Sequence, residues 1–280
     1  MSMIVGIDVG GSTTKIIGVE DGKIKSPLFI TAADPVTSLF GAFGKYMYDN
    51  QIELEDIEQV MLTGVGSAYI NTPLYGRPTA MVDEFLCNAL GAQYESGFER
   101  LVAVSMGTGT SFIQIEKDLI RHIGGIGIGG GTLQGLSRLL LKSHDIHQVV
   151  ELAKAGDISH INLQIKDICN HPLPDLPMDA TASNFGKAES NATEEDVAVG
   201  IVYMVLQAIG SAARLAGLSC GIKDFVLIGN LSQLPQCRTV FDNMEVLYGV
   251  RYHIPPYAEY RTALGAALSY KDRKDQIEFL

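Results

Sequence analysis

Ile4-Val5-Gly6-Ile7-Asp8-Val9-Gly10-Gly11-Ser12-Thr13 returns 97 residues later as Leu101-Val102-Ala103-Val104-Ser105-Met106-Gly107-Thr108-Gly109-Thr110. Each copy is an apolar run that ends in glycine and hydroxyl residues. A buried strand followed by such a turn can bring bare backbone N–H groups against phosphate oxygens. Either turn alone is ordinary hairpin material. As a pair they suggest two turns closing on one polyphosphate. The copies differ at one informative position: Asp8 in the first is Ser105 in the second. Only one turn therefore carries a carboxylate beside the phosphates, where a metal ion can offset it and a second carboxylate would repel the ligand.

The bulk properties narrow the classes. A chain of 280 residues with 46% hydrophobic content suits two joined lobes with a ligand cleft between them. Its apolar runs are broken before a membrane-spanning length, and Met1-Ser2-Met3 leads straight into a strand, so a cytoplasmic protein without a membrane anchor is expected. Cys87, Cys169, Cys220 and Cys237 are scattered with no Cys-x-x-Cys spacing, which disfavours zinc, iron–sulfur and disulfide frameworks. A net charge of −11 opposes nucleic-acid binding and requires any anionic substrate to meet a local positive group.

Around the first turn, Thr13 to Val19 and Lys23 to Ile30 complete an antiparallel meander through Glu20-Asp21-Gly22. Asp34-Pro35 opens a helix to about Tyr48, and a short strand follows from Gln59 to Thr63. Val82 to Tyr94 reads as a helix with Asp83 and Glu84 in its first turn and Phe85, Leu86 and Leu90 on its inner face. A second meander runs through Leu101 to Met106, Ser111 to Glu116 and about Asp118 to Ile123. The glycine run from Gly124 through Gly129, Gly130, Gly131 and Thr132 precedes a helix, a form suited to an anion or to close chain contact. Residues 155–192 read as a surface excursion. Thr193 then caps a long helix to about Ala216, with Gly217 as its expected stop and Gly200 and Gly210 open to another backbone. Phe225 to Ile228 is a buried strand stopping at Gly229-Asn230, and a last helix spans about Tyr260 to Tyr270 with a slim Ala/Gly face.

Gly6-Ile7-Asp8-Val9-Gly10-Gly11, Met106-Gly107-Thr108-Gly109-Thr110-Ser111 and Val226-Leu227-Ile228-Gly229-Asn230, in that order, resemble the two phosphate loops and the adenosine motif of the actin, Hsp70 and sugar-kinase superfamily. Asp83-Glu84-Phe85, the run Gly124 to Leu136 and Ala182-Ser183-Asn184-Phe185-Gly186 resemble the type II pantothenate kinases within it. The resemblance implies an α/β fold of two ribonuclease-H-like lobes, residues 1–98 and 99–280, with the last helix able to pack back on the first lobe. It implies ATP and Mg2+ in the cleft and a homodimer. The implied reaction moves the γ-phosphoryl group to the primary hydroxyl of pantothenate in coenzyme A synthesis, with coenzyme A or its acyl thioesters as possible feedback ligands. One departure stands out: where that family places Arg just before the glycine run, this chain has His122, with Arg121 one position earlier. One step along a strand turns a side chain to the opposite face, so either Arg121 reaches back around a bulge or His122 takes over its role.

These readings assign roles. Glu84, at a helix start, is the candidate base; Asp83 is nearly as eligible by position, and the family motif favours Glu84. Asp8 is the candidate metal ligand. Gly10, Gly11, Ser12, Thr13, Lys15, Gly107, Thr108, Gly109, Thr110, Gly129, Gly130, Gly131, Thr132, Gly229 and Asn230 are expected around the nucleotide, and Arg121 or His122 at the substrate carboxylate. A superfamily kinase acting on a sugar or amino sugar, and an ATPase that performs conformational work, are the competing readings.

Overall fold

The computed structural model describes residues 3–11, 13–31, 34–117, 119–174, 176–272 and 278–279. Ser12, one of the expected phosphate contacts, and Asp118, the expected start of a strand, lie outside them. The first sheet opens with the meander β1 (Met3–Val9), β2 (Thr13–Glu20) and β3 (Lys23–Thr31). Helix α1 (Pro35–Asn50) leads to β4 (Ile57–Thr63), which lies parallel to β1, and β5 (Thr79–Met81) lies beside β4. After α2 (Glu84–Gln93), the plan repeats as β6 (Arg100–Met106), β7 (Thr110–Glu116) and β8 (Leu119–Ile126). Helices α3 (Gly130–Leu140) and α4 (Ile146–Ala155) precede an irregular stretch that includes β9 (Leu163–Gln164), α5 (Ile165–Ile168) and β10 (Thr181–Ser183). The chain closes with α6 (Glu194–Cys220), β11 (Asp224–Ile228), α7 (Pro235–Tyr248), β12 (Arg251–His253), α8 (Arg261–Asp272) and β13 (Glu278–Phe279).

Strand order β5-β4-β1-β2-β3 in one sheet matches β12-β11-β6-β7-β8 in the other, with β13 added at the edge of the first. The duplicated decapeptide therefore supplies the central strand of each sheet. Both central strands read as continuous apolar runs because both their faces are covered. Met3, Val5, Ile7 and Val9 pack toward α1, while Ile4 packs with Ala263 and Ala267 of α8. Gly6 faces α8 as well, where a Cβ would strike the carbonyl of Ala263. In the second sheet Val102, Val104 and Met106 join the α6 core, and Leu101 and Ala103 pack with Ala89 and Ala92 of α2.

The predicted starts hold where capping chemistry marks them. Asp34 accepts from the Thr37 amide at 2.6 Å with Pro35 in the first turn of α1, and Thr193 and Asp196 form a reciprocal capping box on α6. Other expectations change. α6 runs past Gly217 to Cys220 and stops at Gly221, whose φ of 66° supplies the left-handed turn. Gly217 instead makes room for the Phe225 ring, and Gly200 and Gly210 admit the side chains of Ile161 and Met244 rather than another backbone. The inner face of α2 is Cys87, Asn88, Gly91 and Ala92; Phe85 is exposed. The shift follows from α8, which crosses α2 so closely that a Cβ on Gly91 or Gly265 would collide with the Arg261 or Cys87 carbonyl.

Candidate active site

Asp8 stands at the end of β1, paired in register with Lys15 of β2 and Thr63 of β4. The Lys15 ammonium lies 3.6 Å from its carboxylate, and both side chains are largely buried. Burial raises the Asp8 pKa, and the nearby charge of Lys15 only partly opposes that. Beyond Thr63 the chain turns at Gly64 with φ 88°, and a Cβ there would press on the Val9 carbonyl and on Asp8 Oδ1. A backbone without side chains thus lines the carboxylate.

Glu84, the first residue of α2, lies within electrostatic range of Asp8 and Lys15. Asp83 is the N-cap, its carboxylate accepting from the Leu86 amide at 2.9 Å, so Asp83 is committed to the helix and Glu84 is not. Desolvation raises the Glu84 pKa first, then the charges of Asp8 and Asp83, against a smaller opposite effect of Lys15. Asp8, Lys15 and Glu84 form one electrostatic cluster, although they come from two strands and a helix spread over 77 positions of sequence.

The second turn is built differently from the first. Between β1 and β2, the Gly10 amide donates to the Thr13 carbonyl at 2.8 Å and closes the bend, leaving Gly11 exposed. Between β6 and β7, the carbonyls of Gly107 and Thr108 accept from the Gly130 and Gly131 amides at 2.8 and 2.9 Å. In a trans peptide the N–H points opposite to its C=O. The amides of Thr108 and Gly109 therefore both point away from α3, a pairing suited to an anion. The glycine run thus serves close chain contact. The Gly130 and Gly131 amides are spent on the loop, Gly129 packs against its carbonyls, and the Thr132 hydroxyl bonds the Gly127 carbonyl at 3.0 Å. Thr110 is likewise committed, its hydroxyl donating to the Ile128 carbonyl at 2.8 Å. Gly229, φ 95°, folds over Met106 at the end of β6, and the neighbouring Asn230 buries a carboxamide oxygen that has no hydrogen-bond partner among the described residues.

Arg121 and His122 are separated. His122 pairs with Ile113, which faces α2, and Arg121 pairs with Gln114, on the other face of the sheet. Arg121 donates to Gln114 Oε1 at 2.8 Å, whereas the His122 ring stacks on Phe85, next to Glu84, with centroids 4.2 Å apart. The register shift between Phe112 and Ile113 leaves Ile123 as an extra residue directly after His122, so the bulge exists but does not return Arg121 to the Glu84 side. The sequence reading missed Gly64 and Gly66, the latter packed against Val9 and the Gly10 carbonyl. Two glycines directly after a buried strand, Gly64-Val65-Gly66, were the available signal.

The Fumble family pattern matches residues 88–242, more than half of the chain. The type II pantothenate kinase of Staphylococcus epidermidis is 30% identical over 276 residues, covering 94% of this chain and 99% of that one. The chain belongs to the Fumble family, that of the type II pantothenate kinases. Among solved structures, component A of the Acidaminococcus fermentans (R)-2-hydroxyglutaryl-CoA dehydratase superposes with a TM-score of 0.69 at 20% identity, over 97% of this chain and 99% of that one. The activator of the Clostridium difficile 2-hydroxyisocaproyl-CoA dehydratase, solved with bound ADPNP, gives 0.68 at 16% identity, over 99% and 98%. Those likenesses concern the fold, and the α/β two-sheet class expected from the duplicated strands is the one found.

Proposed function

We propose that this member of the Fumble family transfers the γ-phosphoryl group of ATP to the primary hydroxyl of pantothenate, opening coenzyme A synthesis. The observation that carries the chemistry is the meeting of Glu84 with Asp8 and Lys15 at the ends of α2, β1 and β2. Glu84 is half-buried and more basic than an exposed glutamate, so it can take the hydroxyl proton as the new bond to phosphorus forms.

The residues fit a nucleotide and its metal. Thr108 and Gly109 offer two parallel amides, Gly11 an exposed turn, and the orphaned oxygen of Asn230 an acceptor for a ligand N–H or O–H. Gly10, Thr13, Thr110, Gly129, Gly130, Gly131, Thr132 and Gly229 shape the loops around those groups. Asp8 is a buried hard-oxygen donor whose charge one lysine only partly offsets, which suits Mg2+ that keeps its remaining ligands as water and phosphate. When bound, the ion offsets charge on the phosphates. His122, on the Glu84 side of β8, meets the substrate carboxylate in place of Arg121.

The same reading makes the protein a cytoplasmic homodimer with coenzyme A thioesters as feedback ligands. Leu215 and Leu218 of α6 and Val246 of α7 are exposed apolar side chains available to a second copy. α6 itself passes a length-and-composition test for a membrane span, yet 61% of its apolar window is buried in the fold.

Incubation with γ-labelled ATP and a panel of pantothenate, pantetheine, N-acetylglucosamine and glucose tests the acceptor. Label on pantothenate alone is expected, whereas hydrolysis without a labelled acceptor would favour a conformational ATPase. Glu84→Gln should lower turnover about 100-fold or more while nucleotide binding persists; near-normal turnover would remove Glu84 as base.

A further inference from the structure

We infer that Phe85 is a positioning residue, which holds the substrate-recognising His122 in fixed relation to the base Glu84; the inference rests on the pantothenate reading above. Phe85 is out of place for a core residue. It belongs to a helix that buries Cys87, Asn88, Gly91 and Ala92, yet Phe85 itself is 37% exposed. What it touches is the His122 imidazole, centroid to centroid at 4.2 Å with the planes only 14° apart. Among the described residues no hydrogen bond fixes that imidazole, and His122 lies on β8, the edge strand of its sheet, one residue before the bulge at Ile123. An edge-strand side chain without other restraint would sample several rotamers. The phenyl face removes that freedom, and stacked aromatic pairs contribute beyond their buried area.

The placement has a consequence for recognition. Phe85 directly follows Glu84 on one helical turn, so the group that takes the hydroxyl proton and the group that meets the distal anion are linked through a single rigid element. Arg121 cannot substitute, since Gln114 holds it on the opposite face. A longer or shorter acceptor then fails to satisfy both ends at once.

Phe85→Leu keeps an apolar side chain but loses the stack; Phe85→Tyr restores it. Phe85→Leu should raise the pantothenate KM about three- to tenfold, leave the ATP KM and the thermal midpoint near wild type, and add nothing in a His122→Ala background. In NMR spectra of histidine-labelled protein, the His122 ring protons should lose their upfield ring-current shift in Phe85→Leu and regain it in Phe85→Tyr. A wild-type pantothenate KM in Phe85→Leu, an equal rise in the ATP KM, or full additivity with His122→Ala would overturn the inference. If wild-type protein leaves pantothenate unlabelled, the acceptor reading falls and takes the KM expectation with it. The ring-proton shift then still decides whether Phe85 holds His122.

Discussion

Gly64 and Gly229 occupy equivalent places in the two sheets, each ending the strand parallel to the central one and each folding its backbone over that central strand's last residues. Their φ angles are 88° and 95°. Each carbonyl accepts from the hydroxyl of the serine three positions on, Ser67 or Ser232, at 2.6 Å. The internal repeat therefore extends beyond the duplicated decapeptide to a pair of Gly-x-x-Ser turns. Substituting alanine at either glycine introduces a side chain at a backbone conformation that costs on the order of 1–3 kcal/mol and meets a carbonyl besides. Gly64→Ala should displace Asp8 and depress turnover, while Gly229→Ala should disturb Met106 and the second turn and raise the ATP KM. Thermal melts and separate kcat and ATP KM values for the two variants check that division.

The fold was legible wherever local chemistry repeats. The duplicated run marked both central strands, and Asp34-Pro35 and Thr193-Asp196 marked helix starts through caps that act within one turn. What stayed hidden depends on partners far along the chain. Gly217 reads as a helix stop, yet it is a notch for Phe225, and Phe85 reads as core because nothing local shows that α8 takes the other side of α2. In the site, Asp8 and Glu84 were readable from their turn and helix start. The clustering of both with Lys15 needed the register of β1 and β2, and the division between Arg121 and His122 needed the bulge on β8.

Arg261 closes the far end of α2, the helix that begins at Glu84. Fully buried, it donates to the Gly91 and Tyr94 carbonyls at 3.2 and 2.7 Å and to the Pro256 carbonyl at 2.9 Å. The first two are carbonyls at the C-terminal end of α2, which have no partners within their own helix. Arg261→Met keeps the aliphatic stem but takes the donor from the buried Gly91 carbonyl and from the part-buried Tyr94 and Pro256 carbonyls, and a buried acceptor left unsatisfied costs about 1–3 kcal/mol. A loss of about 1–3 kcal/mol in denaturant-derived stability is expected. Turnover should fall as well because α2 carries Glu84, and Arg261→Lys should recover only part of either.

The carboxylate cluster predicts the acid side of the pH–rate profile. As the proposed base, Glu84 must be ionised to accept a proton, and its pKa is raised by burial, by Asp8 and by Asp83. Activity should therefore fail, as pH drops, at a higher pH than an ordinary glutamate would set. Asp83→Asn removes one of the raising charges and can keep the cap on the Leu86 amide, since asparagine caps about as well as aspartate. The acid limb of kcat/KM should then move to lower pH with little change in the thermal midpoint. An unmoved limb would mean that another group governs it.

Asp196 controls stability far from the chemistry. Its carboxylate accepts from the amides of Asp157 at 2.7 Å and Thr193 at 3.1 Å and lies 3.0 Å from His160 Nδ1. Those bonds tie the segment after α4 to the start of α6 and lower the Asp196 pKa from 3.8 to about 2. A depressed carboxylate stabilises the fold fully above its unfolded value, so this contribution is intact above about pH 4 and lost as the pH falls toward 2. His160 works in the opposite sense. Its pKa is raised above 6.5, chiefly by the hydrogen bond to Asp196 with help from the Asp157 and Glu189 charges, so its share is present in acid and lost as the pH rises through the raised value. Asp196→Ala should cost about 1 kcal/mol through the cap alone, roughly 2–4 °C in the midpoint at neutral pH. It should also flatten the pH dependence of the midpoint on both sides, whereas His160→Ala should flatten the alkaline side and only part of the acid side, because the Asp157 and Thr193 amides still hold the Asp196 carboxylate low. Melting curves from pH 3 to pH 9 separate the two.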